Sequence, residues 1–430
     1  MRPDNNTNNF DRRQNPSWLA AHLPRLNRSG SEDLFTLITA WLGNRLWSPS
    51  KNTDPKLLWN YIELHGLGGI AGKMTQLENI DCDYISDCGW ERYLANTMHH
   101  ARALKTCKRI NDIANSKNYH VGIMKGPALA EHVYKDGGVR SYSDIDIYTD
   151  SKKTAQSLIE AVNGNTLTRS TNKHHRFGDT LKIDAKIDGW ICEFTYPRNY
   201  SSDPMYDLIN EYIDQIVCNN TNQTILNSVD PTIHMIYLIL HMVIGHFYSR
   251  LIWFVDIEIL YGEYKSKIDF DKIENILSKL QMANAAHYVL DFCKSNFESS
   301  IPQIALRGSN NKFSFHTTCL ANKNIIHRRY SLDHIKKSRI LNNYFLISFK
   351  FFLFADKTPL FGKNNAARWT TRRALNPFYI HNNIIFIFTK HCISLLFFIT
   401  AKLFTLYEYF TNKLRIPFNN ETISQTTKVS

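Results

Sequence analysis

The sequence predicts an α+β protein in which a small, compact sheet is flanked by an N-terminal and a C-terminal helical region. Three observations support this prediction. Apolar residues recur at helical spacing from Ser31 to about Asn115. Short apolar runs and a period of two, which are typical of strands, replace this spacing within residues 116–200. Long apolar helical patterns return after residue 200.

Length and composition agree with a folded globular protein. The chain has 430 residues, of which 43% are hydrophobic and 21% charged. It is therefore long enough to bury a core without disulfides, and rod-like or wholly disordered classes are excluded. Its eight cysteines include no Cys-x-x-Cys pair, which indicates reduced thiols. Residues 1–16 have no apolar stretch typical of a secretion signal, so we expect a cytoplasmic protein.

The first elements are predicted to be helices. Asp54-Pro55 has the N-cap residue and the first-turn proline of a helix start. An apolar helix face is continued farther along by Leu94, Met98, Ala101 and Leu104. The glycine-rich run from Gly66 to Lys73 is similar to a phosphate-binding loop, but its glycine spacing does not match that motif. We expect this run to be a tight junction between two helices.

The central region then alternates short strands and helices. Tyr119–Met124 predicts a short apolar strand, and Pro127–Tyr134 predicts a short helix. Gly137-Gly138 predicts a turn. Ser143–Tyr148 strictly alternates apolar and polar residues, which predicts a half-buried strand.

The remaining strands and the second helical region follow. Ser151–Val162 has a helical pattern, and Thr180–Tyr196 contains two strand-like runs around the hairpin signal Asp188-Gly189. Asp230-Pro231 opens a long apolar helix, and helical patterns continue through Phe292. These patterns divide the chain into five regions: a disordered N-terminus (1–28), a helical region (29–115), the sheet core (116–200), a second helical region (201–320) and a helical tail (321–430).

The tail differs from the rest of the chain in charge. Residues 321–430 carry 17 Lys and Arg against 4 Asp and Glu, mixed with aromatic apolar runs. Three interpretations remain open. The tail is a peripheral membrane segment held by anionic lipid, a set of helices that presents a basic groove to a phosphorylated or nucleic-acid substrate, or ordinary structural helices.

Two carboxylates on one predicted strand indicate metal chemistry. Asp144 and Asp146 are two residues apart, so both side chains project from one face while Ile145 and Ile147 face the core. Adjacent carboxylates repel each other unless a cation lies between them. Magnesium suits this position because it takes hard oxygen ligands, often one or two carboxylates together with substrate phosphates.

The surrounding sequence adds a third acid and a phosphate-binding loop. Glu193 lies on the last predicted strand, on the face opposite Cys192 and Phe194. Three carboxylates on neighbouring strands are what a two-metal site for phosphoryl or nucleotidyl transfer requires. Lys125-Gly126 joins a strand end to a helix, an arrangement that offers backbone N–H groups to phosphate. Asp184 and Asp188 are alternatives to Glu193 as the third acid.

Several segments together resemble a known family. They are Ile123–Ala130 (IMKGPALA), Arg140–Ile147 (RSYSDIDI), His174-His175, Cys192-Glu193-Phe194, and the helical positions His234, His241, Trp253 and Asp256. Over about residues 30–300 the chain resembles the DNA polymerase beta-like nucleotidyltransferase superfamily, and within it a bacterial family of uncharacterised nucleotidyltransferases.

This resemblance implies a small mixed-sheet nucleotidyltransferase core with a two-metal Mg²⁺ site. Asp144, Asp146 and Glu193 would be the catalytic and metal-binding acids, and Lys125 and Gly126 would bind the nucleotide. The donor would be an NTP such as ATP. The acceptor would be a hydroxyl of a small biosynthetic molecule, a sugar or a peptide, with a nucleic acid less favoured.

Two departures from the family pattern keep other functions open. Lys125-Gly126 replaces the superfamily's usual Gly-Ser, and Phe194 stands where relatives often have histidine. These departures motivate one alternative, a catalytically degenerate binding protein of the same fold. A second alternative is a phosphotransferase of the phosphocholine-transferring type, which shares the glycine, the arginine and the Asp-x-Asp strand.

The remaining polar residues have two interpretations each. Arg140 either binds a phosphate of the nucleotide or balances the acidic pair. Asp256 is favoured as a packing carboxylate with a satisfied partner rather than as a site residue. The helical histidines His234 and His241 are favoured as buried, hydrogen-bonded residues, and His174-His175 as a surface pair.

Overall fold

A computed structural model describes residues 26–167, 182–197, 204–217, 226, 229–245, 250–280, 282–297 and 299–302. The predicted disordered N-terminus up to residue 25, the pair His174-His175 and the whole predicted tail at 321–430 lie outside these residues. Within them, all five cysteines are free thiols.

Helices precede the sheet, as the sequence predicts, and the described residues contain four of them. They are α1 (Arg28–Leu42), α2 (Pro55–Leu64), α3 (Gly68–Gln76) and α4 (Asp83–Ser116). Asp54 caps α2 because its side chain accepts a hydrogen bond from the backbone N–H of Lys56, and Pro55 occupies the first turn. The predicted N-cap and proline signal is therefore confirmed.

The glycine-rich run begins as the predicted junction between two helices, at Gly66 and Leu67, but continues from Gly68 as the first turns of α3. Gly66 turns the chain between α2 and α3 with a φ of 75°. A Cβ atom added to Gly72 of α3 would lie 2.2 Å from the carbonyl oxygen of Gly89 in α4. The two helices therefore approach so closely that neither glycine can carry a side chain.

Helix α4 buries a different face from the one that the apolar spacing predicts. Leu94 is 44% exposed and Met98 is 71% exposed, whereas Asn96 and His100 are buried. Asn96 donates a hydrogen bond to the carbonyl oxygen of Gly138, at 3.0 Å. Hydrogen bonding to the turn before β2 thus fixes the rotation of this part of α4, and the prediction from apolar spacing is wrong here.

The sheet contains five strands in the order β1-β2-β5-β4-β3. The strands are β1 (Val121–Met124), β2 (Asp144–Thr149), β3 (Asn165–Thr166), β4 (Lys182–Ile187) and β5 (Trp190–Thr195), with α5 (Gly126–His132) between β1 and β2 and α6 (Lys152–Ala161) between β2 and β3. The pairing of β2 with β5 is parallel and the other pairings are antiparallel. Asp188 and Gly189, with φ of 49° and 87°, form the predicted hairpin turn between β4 and β5.

The second helical region follows the sheet. Its helices are α7 (Pro204–Ile216), α8 (Pro231–Leu240), α9 (Leu251–Tyr264), α10 (Phe270–Lys279) and α11 (Ala283–Phe297). The side chain of Asp230 accepts a hydrogen bond from the backbone N–H of Ile233 and so caps α8, as the Asp-Pro signal predicts. None of the helices among the described residues combines the length and the apolar character that crossing a membrane requires.

Two hydrophobic cores cover the two faces of the sheet. Ile145 and Ile147 of β2 belong to the core formed with α4 and α6, whereas Tyr148 belongs to the larger core that unites both helical regions. Both faces of β2 are therefore buried, with Asp146 only 5% exposed. The prediction of a half-buried strand is wrong, because helices of the second region cover the polar face of β2. The α+β fold class, a mixed sheet flanked by helices, is confirmed.

Replacing Gly72 with alanine is expected to destabilise the protein by about 2 kcal/mol, because the new methyl group must push α3 and α4 apart. Gly262 of α9 offers a matched control, since a Cβ atom added there meets nothing within 4 Å. Gly262→Ala should stabilise the protein by roughly 0.5–1 kcal/mol through helix propensity alone. Urea unfolding followed by circular dichroism measures both, and equal effects would argue against the close α3–α4 contact.

Candidate active site

The candidate site lies on the face of the sheet that the second helical region covers. Asp144 and Asp146 project from this face of β2, whereas Ile145 and Ile147 on the other face are fully buried. Asp146 lies at the third position of the strand, opposite Met124, the last residue of β1. The two aspartates therefore stand beside the loop that follows β1.

A row of three carboxylates crosses neighbouring strands. Asp146 of β2 is in register with Glu193 of β5, and Glu193 is in register with Asp184 of β4. Glu193 is thus next to Asp146, while Asp184 is one strand farther away. Asp188 lies in the hairpin turn, where it accepts a hydrogen bond from Arg109 at 2.6 Å. This geometry favours Glu193 over both alternatives as the third acid.

The loop after β1 brings Lys125 and Gly126 to the same place. Lys125 has a φ of 60°, a left-handed value that costs free energy for a residue with a side chain. A Cβ atom added to Gly126 would lie 3.3 Å from the carbonyl oxygen of Asp144 and equally close to the ring of Tyr142. The loop therefore packs directly on the start of β2, and glycine is the residue that fits there.

Two lysine ammonium groups pair with two acids of the row. Lys125 Nζ lies 2.9 Å from Asp146 Oδ2, and both side chains are largely buried. Lys182, the first residue of β4, forms an ion pair with Glu193. Sequence analysis identified Lys125 but not Lys182. The signal for Lys182 is its alternation with Asp184 on a strand, which puts both on the face of the acids.

Burial and the proximity of the acids shift the pKa values of Asp146 and Lys125. Burial raises the pKa of Asp146 to about 6, with further increases from the charges of Asp144 and Glu193, while Lys125 lowers it. Burial alone lowers the pKa of Lys125, but the charges of Asp146, Tyr237 and Asp144 outweigh burial and raise it above its usual value. Shifted pKa values of this kind cluster at functional sites.

Helix α8 supplies an aromatic side chain, Tyr237, that packs against the site. Tyr237 lies below Lys125, whose ammonium group is 5.9 Å from the ring centroid. Its hydroxyl is hydrogen-bonded to that of Tyr148, which is two residues beyond Asp146 on the same strand face. Burial raises the pKa of Tyr237 to about 12. Nothing in the sequence marks Tyr237, because it lies in a continuously apolar helix.

The donor chemistry fits magnesium, although two of the three acids, Asp146 and Glu193, pair with lysines. Asp144, Asp146 and Glu193 offer carboxylate oxygens from adjacent strand positions, and such oxygens are the ligands that Mg²⁺ prefers. A cation would also relieve the repulsion that raises the pKa of Asp146. Within the part of the chain that the structure describes, no three His, Cys, Asp or Glu side chains are grouped so that they could hold a metal ion as they stand.

Arg140 is occupied by Asp256 of α9. Its Nε and Nη2 atoms donate hydrogen bonds of 2.7 and 2.8 Å to the two carboxylate oxygens, and Nη1 donates to the carbonyl of Ser141. The side chains are 9% and 1% exposed, and Tyr134 donates a further hydrogen bond to Asp256. This geometry favours a packing role for Arg140 as well as for Asp256. A contact between Arg140 and phosphate stays a prediction.

The helical histidines differ in their surroundings. His234 is buried, and its Nε2 atom has no hydrogen-bond partner among the described residues. His234 is thus buried as expected, whereas the expected hydrogen bonding is absent at Nε2 within the described part of the chain. His241 stacks on Tyr237 with ring centroids 6.0 Å apart and meets Trp253 edge-on. His241 therefore packs between Tyr237 and Trp253.

A mixed sheet that carries an Asp-x-Asp strand, an adjacent third acid and a glycine loop defines a nucleotidyltransferase-like α+β core. The comparison with protein families agrees. The chain belongs to the family described as uncharacterised nucleotidyltransferase, whose model matches residues 51–298, more than half of the chain. The match includes every candidate residue of the site. Searches of curated proteins and of solved structures returned no match.

Replacing Asp256 with asparagine should destabilise the protein by about 3 kcal/mol or more, because Arg140 would remain buried without a carboxylate. Glu263 of the same helix gives the control, since it pairs with Lys135, whose side chain is 62% exposed. Glu263→Gln should cost less than about 1 kcal/mol. Denaturant unfolding of the two variants makes the comparison, and a small effect of Asp256→Asn would rule out a structural role for the buried pair.

His234 should make the stability depend on pH. Burial, followed by the charge of His132, lowers its pKa to about 4. An imidazole in the unfolded chain binds a proton near pH 6.5, so between about pH 6.5 and 4 the unfolded state binds more protons than the folded state. This contribution to stability is complete above pH 6.5 and is lost as the pH falls towards 4.

Between pH 7 and pH 5 the wild type should lose about 2 kcal/mol more free energy of unfolding than His234→Gln, which has no titrating group at this position. Urea unfolding at the two pH values measures the difference. Parallel losses in the two proteins would show that His234 is not kept neutral by burial.

Proposed function

We propose that this protein is an Mg²⁺-dependent nucleotidyltransferase that moves a nucleoside monophosphate from an NTP to a hydroxyl of a small biosynthetic acceptor. The observation that carries the proposal is the register of Asp146 with Glu193, beside Asp144 and the loop of Lys125 and Gly126. Membership of a nucleotidyltransferase family supports the reaction class.

Each residue of the site has a role that its position permits. Asp144, Asp146 and Glu193 would hold the Mg²⁺ ions, which supply positive charge that stabilises the negative charge of the transferring phosphate. Lys125 contributes a point charge for phosphate oxygens, and Gly126 allows them to approach the loop. The ion pair of Arg140 with Asp256 would fix the chain just before Asp144, and a contact of Arg140 with phosphate remains part of the proposal.

The reaction balances with these groups. The acceptor hydroxyl oxygen forms a bond to the α-phosphorus of the NTP, and the bond from that phosphorus to the bridging oxygen breaks. Pyrophosphate leaves with the bonding electron pair. The hydroxyl proton passes to a carboxylate at the site, for which Glu193 is the candidate, and from there to water.

The acceptor is proposed to approach beside Asp144. Ile191 of β5 is in register with Asp144 and is 42% exposed. This side of the site therefore offers an apolar contact next to the first aspartate. A small molecule, a sugar or a peptide with a hydroxyl group suits such a surface.

One observation favours a second candidate function. Both Asp146 and Glu193 are already neutralised by lysines, so the acids do not need a metal ion to be tolerated in the fold. A catalytically degenerate member of the family that binds a nucleotide or a partner protein would have the same feature. Catalysis of NTP turnover separates the two functions.

Asp146→Asn should lower pyrophosphate release from the preferred NTP at least about a hundredfold, because a ligand of the ions is lost and stabilisation of several kcal/mol with it. Glu193→Gln should have a comparable effect. Asp184→Asn is the matched comparison, since Asp184 lies in the same row one strand away from Asp146, and it should cost less than either.

The measurement is pyrophosphate release from each NTP with Mg²⁺ and a panel of hydroxyl acceptors, with circular dichroism to verify folding. Unchanged turnover in Asp146→Asn would refute the proposed mechanism. Release of a nucleoside monophosphate from a headgroup donor in place of pyrophosphate would favour the phosphocholine-type transferase. Absence of turnover together with nucleotide binding would favour the degenerate binding protein.

A further inference from the structure

We propose that Lys182 is a displaceable counter-ion that pairs with Glu193 while the metal site is empty and binds the phosphates once metal ions are bound. This inference rests on the proposed function, because it assigns a further residue to the same site. It makes Lys182 a partner of Lys125, which pairs with Asp146 in the same way.

The position of Lys182 supports this role. In the ladder Lys182 is opposite Thr195, so its side chain reaches diagonally along the strand to Glu193 instead of lying directly across from it. The lysine side chain is 31% exposed and that of Glu193 is 14% exposed. The lysine is therefore the more exposed partner of the pair, and the acid that it neutralises is the more buried one.

Competition between two cations follows from this geometry. A carboxylate that binds a divalent ion gives up most of its attraction for an ammonium group, because both cations require the same oxygens. The ammonium group of Lys182 would then be released, but its strand is fixed in the sheet and keeps it within reach of the site. A flexible point charge at the mouth of a metal site is suited to phosphate oxygens.

Opposite effects on two ligands distinguish this role from a structural one. Removing the ammonium group takes away the competitor of the metal ion, so a metal ion alone should bind more tightly. The same change removes a phosphate contact, so the metal–phosphate complex should bind more weakly. A lysine that only supports the fold would weaken both.

Lys186 provides a matched control on the same strand. It lies four residues from Lys182, on the same face of β4, and is exposed at the position in register with Ile191. Lys186→Met therefore removes the same unit of charge from the same strand without removing the ion pair to Glu193. Any general effect of net charge on cation binding appears in both variants.

The experiment uses the full chain and two probes, Mn²⁺ alone and inorganic pyrophosphate with Mn²⁺. Free Mn²⁺ is followed by electron paramagnetic resonance, and pyrophosphate binding by calorimetry. Lys182→Met should bind Mn²⁺ about tenfold more tightly and pyrophosphate about tenfold more weakly than the wild type, where tenfold corresponds to about 1.4 kcal/mol. Lys186→Met should change each by less than roughly threefold, and Lys182→Arg should retain pyrophosphate binding within the same range.

Two results would overturn the inference. The first is that Lys182→Met weakens the binding of both Mn²⁺ and pyrophosphate. The second is that Lys186→Met reproduces the changes in affinity seen with Lys182→Met. Asp146→Asn separates this failure from that of the proposed function. If the wild type binds Mn²⁺ and Asp146→Asn does not, the metal site stands and only the role of Lys182 fails. If both bind Mn²⁺ equally, the proposed function fails and the inference with it.

Discussion

The parallel pairing of β2 with β5 is the constraint on which the candidate site depends. It puts Asp146 and Glu193 side by side although they are far apart in the chain. A shift of one residue in this register would turn Glu193 to the opposite face, where Cys192 and Phe194 pack in the core. The apolar residues of β5 therefore fix the position of the acid, since any other register would bury a charge and expose a phenylalanine.

Covering the face that carries Asp144, Asp146 and Glu193 costs free energy, which neighbouring positive charges offset. The helices of the second region remove this face from water, which raises the pKa of Asp146 and would favour its neutral form. Lys125 and Lys182 compensate by supplying positive charge within the same layer. The backbone strain at Lys125, with its φ of 60°, is consistent with a side chain that is held where charge is required.

Local sequence patterns predicted β1, β2, β4 and β5, the hairpin turn and the capped helices, because these depend on residues close in the chain. The two-residue strand β3 was not predicted. Local patterns also identified the acids, since Asp144 and Asp146 share a strand. They did not reveal Lys182, and they placed the apolar face of α4 wrongly. Contacts between residues far apart in the chain leave no local period in the sequence. Arg140, for example, pairs with Asp256, 116 residues later, and the hydroxyl of Tyr237 is hydrogen-bonded to that of Tyr148, 89 residues earlier. Register and helix packing, which are tertiary properties, decide such contacts.

The buried pair of Arg140 and Asp256 has a consequence for how this protein can be divided. Arg140, which precedes the strand of the two aspartates, is neutralised by Asp256 of α9. The sheet is therefore not an independent domain that could be separated by cutting the chain at residue 200. Expressed without α9, the sheet would leave the guanidinium of Arg140 without the carboxylate that pairs with it. The sheet and the helices of the second region must accordingly occur together in one protein. The family match agrees, because it extends across both, from residue 51 to 298.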